Sequence, residues 1–112
     1  MCTNRGNVLP LKPGGKVAVV GPHFNVSEVM ISNYHGSRCP KGFDCIPTPF
    51  DMIKTANAGG TTVGVQGCEV DSTKDDIAAA VAAAKESDTV VMVMGIGQGQ
   101  EREGQDRYNT TL

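Results

Sequence analysis

Apolar residues along the chain gather in three short runs separated by polar and Gly/Pro-rich stretches. The first run is Lys16-Val17-Ala18-Val19-Val20, closed by Gly21-Pro22. A β-branched run bounded by Gly and Pro predicts a buried strand. Nearly every position in it is apolar, which predicts a parallel sheet covered on both faces. The second run, Thr61 to Gln66, is closed by Gly67-Cys68, and the third, Asp88 to Met94, by Gly95-Ile96-Gly97. Between these strands the spacing becomes helical. Thr48-Pro49 predicts a helix start, with Thr48 as N-cap, Pro49 in the first helical position and Asp51 in the first turn. Phe50 and Ile53, with Met52 beside them, supply its apolar face, and Gly59-Gly60 end it. A second helix is expected over roughly Lys74 to Lys85, capped by Ser72 or Thr73, with Asp75 and Asp76 in its first turn. It is Ala-rich and carries Ile77 and Val81 on one face. Residues Asn25 to Met30 read as a short helix or turn, and 33–47 as loop.

The order strand, helix, strand, helix, strand predicts an α/β fold with a mainly parallel sheet and right-handed crossovers. Residues 1–15 read as a linker that ends in a turn at Pro13-Gly14-Gly15, and 16–112 as one domain. Three parallel strands have two open edges and half their helical cover. The domain is therefore expected to be incomplete within these residues.

Composition narrows the function classes. Aromatics are only 4% of the chain, so the core must be built from Val, Ile, Ala and Met. A net charge of -2 with scattered Lys and Arg leaves no basic footprint for nucleic acid and no polybasic run for a membrane surface. No stretch reaches the ~18 apolar residues of a membrane span, and the first residues lack the apolar core of a signal peptide. The four cysteines, Cys2, Cys39, Cys45 and Cys68, form no CxxC pair, which argues against a zinc ribbon or a thioredoxin-like site. No metal or cofactor is expected. Cys39 and Cys45 flank Pro40-Lys41-Gly42 and can close a small disulfide loop. Cys68 can pair with either of them, and free, partly buried thiols stay equally open. Asn25-Val26-Ser27 and Asn109-Thr110-Thr111 are sequons, so Asn25 and Asn109 are candidate glycosylation sites.

Candidate chemistry lies after the strands. Val20-Gly21-Pro22-His23 lacks the spacing of a dinucleotide loop, and Pro22 removes a backbone donor that phosphate would use. Gly95-Ile96-Gly97-Gln98-Gly99 is a flexible loop at the carboxyl end of a strand, where open α/β sheets place their ligands. It runs into Glu101-Arg102-Glu103-Gly104-Gln105-Asp106-Arg107. One reading of that segment is a solvated charged stretch. The other is a carboxylic acid for proton transfer on a loop fixed by Arg–Asp contacts. His23 and His35 are single loop histidines with no spacing to a Ser or Cys nucleophile.

Taken in order, several segments resemble family 3 glycoside hydrolases, the β-glucosidases, β-xylosidases and their relatives. Asn7-Val8-Leu9-Pro10-Leu11-Lys12 resembles the linker that leaves the barrel domain of those enzymes, and Lys16 to Pro22 the first strand of their second domain. Asn33-Tyr34-His35-Gly36 and Cys45-Ile46-Pro47-Thr48-Pro49 resemble the NYxG and C-x-x-TP segments that follow. Gly67-Cys68 matches a similar position after the next strand, and Glu103-Gly104-Gln105-Asp106-Arg107 resembles EGxDR. The match covers nearly the whole chain; each motif is weak alone, and the order makes it specific. The resemblance implies a partial (α/β) sandwich, the first part of the C-terminal domain. It implies retaining hydrolysis of β-glucosides or β-xylosides, with a barrel aspartate as nucleophile and Glu103 as acid/base, Glu101 being the alternative. Asp106 and Arg107 would shape the loop or line the site. The two carboxyl groups of such a pair stand about 5 to 5.5 Å apart. The implied partners are a β-linked oligosaccharide and the barrel domain, the implied location is extracellular or secretory, and the chain alone is expected to be inactive. A non-catalytic carbohydrate-binding or interaction module derived from that domain is the competing expectation.

Overall fold

The computed structural model describes residues 3–31, 34–36, 39–71 and 75–109. Strand β1 (Lys16–Val20) is followed by helix α1 (Pro49–Ala56), β2 (Thr61–Val65), α2 (Ile77–Lys85) and β3 (Thr89–Met92), with single 3-10 turns at Arg5–Asn7 and Glu28–Met30. The three strands form one sheet in the order β2-β1-β3, and both pairings are parallel. The expected α/β class and partial sandwich are what the chain forms. No helix among the described residues is long and apolar enough to cross a membrane.

β1 is central, and among the described residues the buried aliphatic core, Val17, Ala18, Val19 and Val20, belongs to it. The register sets Val19 between Gly64 and Val91, and Ala18 between Val63 and Val90. Alternate residues of a strand face opposite sides of the sheet. On the Val17/Val19 face, Phe24 and Phe50 meet edge to face at 5.9 Å. They lie over Gly64, where an added Cβ would collide with the Phe24 ring. Phe50 belongs to α1, so α1 covers this face. On the opposite face α2 lies over the sheet, and Ala82 and Ala83 border a cavity of about 320 Å³ together with Val63 and Val65.

Helix α1 begins as its sequence predicts. Thr48 is the N-cap and Pro49 the first helical residue, and Thr48 and Asp51 form a reciprocal capping box. Met52, however, is exposed, whereas Phe50 and Ile53 are half-buried. Helix α2 departs further from expectation. It starts at Ile77, and its N-cap is Asp76, whose side chain accepts from the Ala79 amide at 3.2 Å. Ser72 and Thr73 lie outside the described residues. Ile77 and Val81 point outward, while Ala79, Ala80, Ala83 and Ala84 are the half-buried residues of the helix. The physical reason is close approach: a Cβ on Gly67 would lie 2.7 Å from the Ala80 methyl. A side chain at position 67 would not fit beneath Ala80.

Buried Asn57, just beyond α1, ties the 1–15 segment to the domain. Its Oδ1 accepts from the Gly14 amide at 2.9 Å. Its Nδ2 donates to Gly15 O at 3.1 Å and Thr62 Oγ1 at 3.0 Å. These bonds satisfy backbone groups at the entry to β1 and the start of β2 together.

Candidate active site

In the order β2-β1-β3 the chain leaves β1 in one direction, then crosses back to the other side. Such a reversal opens a crevice at the carboxyl ends of the strands. Here it lies between the residues after β1 and those after β3. The two exits are stitched closely: Val93 N donates to Val20 O at 2.7 Å and His23 N to Val93 O at 3.3 Å. Gly21 is required at this crossing. Its φ is +115°, and a Cβ there would lie 2.5 Å from Val93 O. The crevice, about 650 Å³, is lined by Pro22, His23 and Glu28 on one side and by Ile96, Gln98 and Glu101 on the other. His23 is buried, and its ring packs on the Gly95 backbone; neither ring nitrogen has a hydrogen-bond partner among the described residues.

The loop after β3 folds into two linked turns. Gln100 N and Glu101 N both donate to Gly97 O, at 3.0 and 3.2 Å, and Gly97 N donates back to Gln100 Oε1 at 2.8 Å. Next, Arg102 and Gln105 pair through both their backbone groups, Arg102 N to Gln105 O at 3.0 Å and Gln105 N to Arg102 O at 2.9 Å. Glu103 and Gly104 form the tip, and Gly104 has φ +75°. A positive φ at the third residue of a four-residue turn is the signature of type II, and Gly is favoured there. The tip is held to the first turn by Arg102 Nη1 donating to Gln98 O at 3.0 Å and Gln105 Nε2 to Gly99 O at 2.6 Å. Gln100, Arg102 and Gln105 all contribute to the loop's framework. Of the two residues expected to shape the loop or line the site, Asp106 is exposed and Arg107 half-buried. A long amide next to a turn glycine is a weak signal, and only the folded loop shows its use.

Glu103 and Glu101 are both exposed, but they face different surroundings. Glu101 lines the crevice, whereas Glu103 meets the segment 34–36. The Tyr34 phenol donates to Glu103 Oε2 at 2.8 Å. That hydrogen bond, and after it partial desolvation, hold the Tyr34 hydroxyl above its usual pKa, because ionising it would remove the donated proton. The bond joins the two motif segments that sequence alone left unconnected. Asn33 of the first motif lies outside the described residues.

Segment 34–36 leads into a closed loop. Cys39 and Cys45 form a disulfide, and Cys68 is a free, half-buried thiol. The pairing open at the sequence level is thus Cys39–Cys45, and Cys2 lies outside the described residues. The sequon residue Asn25 is exposed, with its Oδ1 facing the Thr48 hydroxyl at 3.0 Å, and Ser27 Oγ donates to Ile46 O at 2.7 Å. Asn109 is exposed; the rest of its sequon lies outside the described residues.

Comparison with known proteins places these features in context. The family model for the glycosyl hydrolase family 3 C-terminal domain matches residues 1–112. Beta-D-xylosidase 3 of Arabidopsis thaliana is 39% identical over 111 residues, 97% of this chain and 13% of that protein. A probable exo-1,4-beta-xylosidase of Aspergillus flavus is 38% identical over 109 residues, 96% of this chain and 13% of its own length. Probable beta-D-xylosidase 7 of Arabidopsis thaliana is 36% identical over 112 residues, covering 95% of this chain and 14% of that protein. The chain thus spans about 13% of the length of the first two of these relatives.

Proposed function

The chain belongs to the glycosyl hydrolase family 3 C-terminal domain family, and on that footing we propose that it carries the acid/base loop of a retaining β-glycosidase acting on β-xylosides. The names of its relatives favour xylosides over glucosides. The observation that carries the reading is Glu103, exposed at the tip of a pinned turn at the carboxyl end of β3, with one oxygen bonded by Tyr34. A proton donor for a substrate held by another domain must reach outward and still be fixed in direction. Glu103 combines both properties.

In this mechanism a barrel carboxylate attacks the anomeric carbon while Glu103 protonates the departing oxygen. Glu103 then takes a proton from the water that releases the sugar. The nucleophile's charge at about 5 to 5.5 Å would favour the protonated acid before attack. Glu101 is the alternative donor, and Asp106 and Arg107 line the site beside the turn. Residues 1–15 would form the connection to the barrel, and residues 16–112 the first part of the second domain. The Cys39–Cys45 disulfide and the exposed sequon at Asn25 support passage through the secretory pathway.

Leaving-group dependence tests the assignment in the barrel-containing protein. Glu103→Gln is expected to lower kcat/KM by about 10²- to 10⁴-fold for a xyloside whose leaving group needs protonation. For 2,4-dinitrophenyl β-xyloside, whose leaving group does not, the loss should be far smaller. Equal losses for both would remove Glu103 from the acid role. If Glu101→Gln showed the selective loss instead, the role would pass to Glu101.

A further inference from the structure

We propose that Tyr34 is a positioning residue for Glu103 and that the loop closed by Cys39 and Cys45 holds Tyr34 in place. This rests on Glu103 being the acid/base group.

The contact joins residues 69 apart in sequence, and both side chains are exposed. A hydrogen bond between two freely moving exposed groups would be weak, because each loses rotamer freedom to make it. Here both partners are pinned from behind. On the Glu103 side, Arg102 and Gln105 hold the turn to the carbonyls of Gln98 and Gly99. On the Tyr34 side, the adjacent His35 ring stands edge-on to Phe43, with centroids 5.6 Å apart and planes at 78°. Phe43 lies within the span that the disulfide closes. That span carries its own turn, Asp44 N to Lys41 O at 3.2 Å, and Cys45 N donates to Cys39 Sγ at 3.2 Å. Its exit is fastened by Ile46 N to Phe43 O at 3.0 Å and by Ser27 Oγ to Ile46 O. Two residues later Thr48 enters the cap of α1. A continuous set of contacts thus runs from α1 through the disulfide loop to the Tyr34 phenol.

The consequence for Glu103 is directional. While the phenol donates to Oε2, that oxygen bears no proton. In this arrangement the neutral acid has Oε2 as its carbonyl oxygen and carries the transferable proton on Oε1. In the carboxylate the same bond stands, and Oε1 is the oxygen free to accept a proton from water. Tyr34 therefore fixes the rotamer and selects the oxygen that exchanges the proton in both half-reactions.

The chain reports on this contact without any assay of hydrolysis. It has two tyrosines and no Trp, and Tyr108 is fully exposed. In a Tyr108→Phe background, alkaline titration at the tyrosinate absorbance band reads Tyr34 alone. The midpoint is expected above the usual 10.0. Glu103→Ala should bring it down toward 10.0. Replacing both Cys39 and Cys45 by Ser should do the same, with the far-ultraviolet dichroism of the helices unchanged. If Glu103→Ala leaves the Tyr34 midpoint where it was, the positioning role is overturned. If only the cysteine variant leaves it there, the disulfide loop's part is overturned and the role of Tyr34 stands. Neither result depends on whether Glu103 is the acid, which the leaving-group experiment decides by itself.

Discussion

Thr48 and Asp51 exchange three hydrogen bonds: Thr48 N and Thr48 Oγ1 to Asp51 Oδ2 at 3.1 and 2.8 Å, and Asp51 N to Thr48 Oγ1 at 3.1 Å. The Thr48 hydroxyl, and then its amide, hold the Asp51 carboxyl below its usual 3.8. A carboxyl with a lowered folded-state pKa stabilises the fold while ionised. Its contribution is present above 3.8 and is lost as pH falls through the lower folded value. The urea midpoint of the parent chain is therefore expected to drop below that pH, with part of the drop removed in Asp51→Asn. Thr48→Ala is expected to cost about 1 kcal/mol near neutrality. An acid limb unchanged by Asp51→Asn would mean that other carboxyls carry it. The Thr48–Asp51 box was legible from the sequence because its two residues lie within one helical turn of each other. Asn57 was not, because its partners Gly14, Gly15 and Thr62 come from the entry to β1 and the start of β2, which meet only in the folded sheet. Glu103 falls between these cases. Its motif could be read, but the phenol that meets it comes from 69 residues away.

Elements were legible where the pattern was strong and local. β1, with every apolar residue buried, reads directly as a central parallel strand. α2 was placed correctly as a helix, yet its inward face was misjudged. Ranking residues by size favours Ile77 and Val81, whereas the helix approaches Gly67 closely through Ala80 and turns Ile77 and Val81 outward. No periodicity of large residues reports that distance. Its cap was likewise placed too early, since Asp76 next to the helix serves as well as Ser or Thr. The acid loop shows the same limit: glycines marked it as loop, but its paired turn depends on one backbone angle. Gly104 has φ +75°, where an L side chain costs about 1–2 kcal/mol. Gly104→Ala is expected to loosen the Arg102–Gln105 pairing and speed amide exchange at Gln105 by roughly 5- to 30-fold. The thermal midpoint should hardly move, because the turn buries no core residue. Unchanged protection at Gln105 would show that Arg102 and Gln105 side-chain bonds hold the turn without help from the glycine.

At the scale of the molecule, alternation of strands and helices fixed the class, while the meeting of Tyr34 and Glu103 required the sheet order β2-β1-β3 to bring the two exits together. That same order has a physical cost. β3 pairs with β1 along one edge, and among the described residues no strand pairs with its other edge. Beside that edge Val90 and Met92 share the face that α2 covers over β2 and β1, and both remain exposed. Val63, on the same face, is also exposed. An open edge flanked by apolar side chains is a template for pairing with another chain. The net charge of -2 offers little repulsion to oppose it. The isolated chain is therefore expected to associate at micromolar concentrations, seen as a sedimentation coefficient that rises with loading. Val90→Lys and Met92→Lys together place two charges beside the edge and should return it to a concentration-independent monomer with the same helix and strand content. A parent chain that sediments as a monomer at all loadings would show that twist alone guards the β3 edge. If the lysine variant associates as strongly as the parent, contact must form through another surface, and the outward Ile77 and Val81 of α2 become the residues to change next.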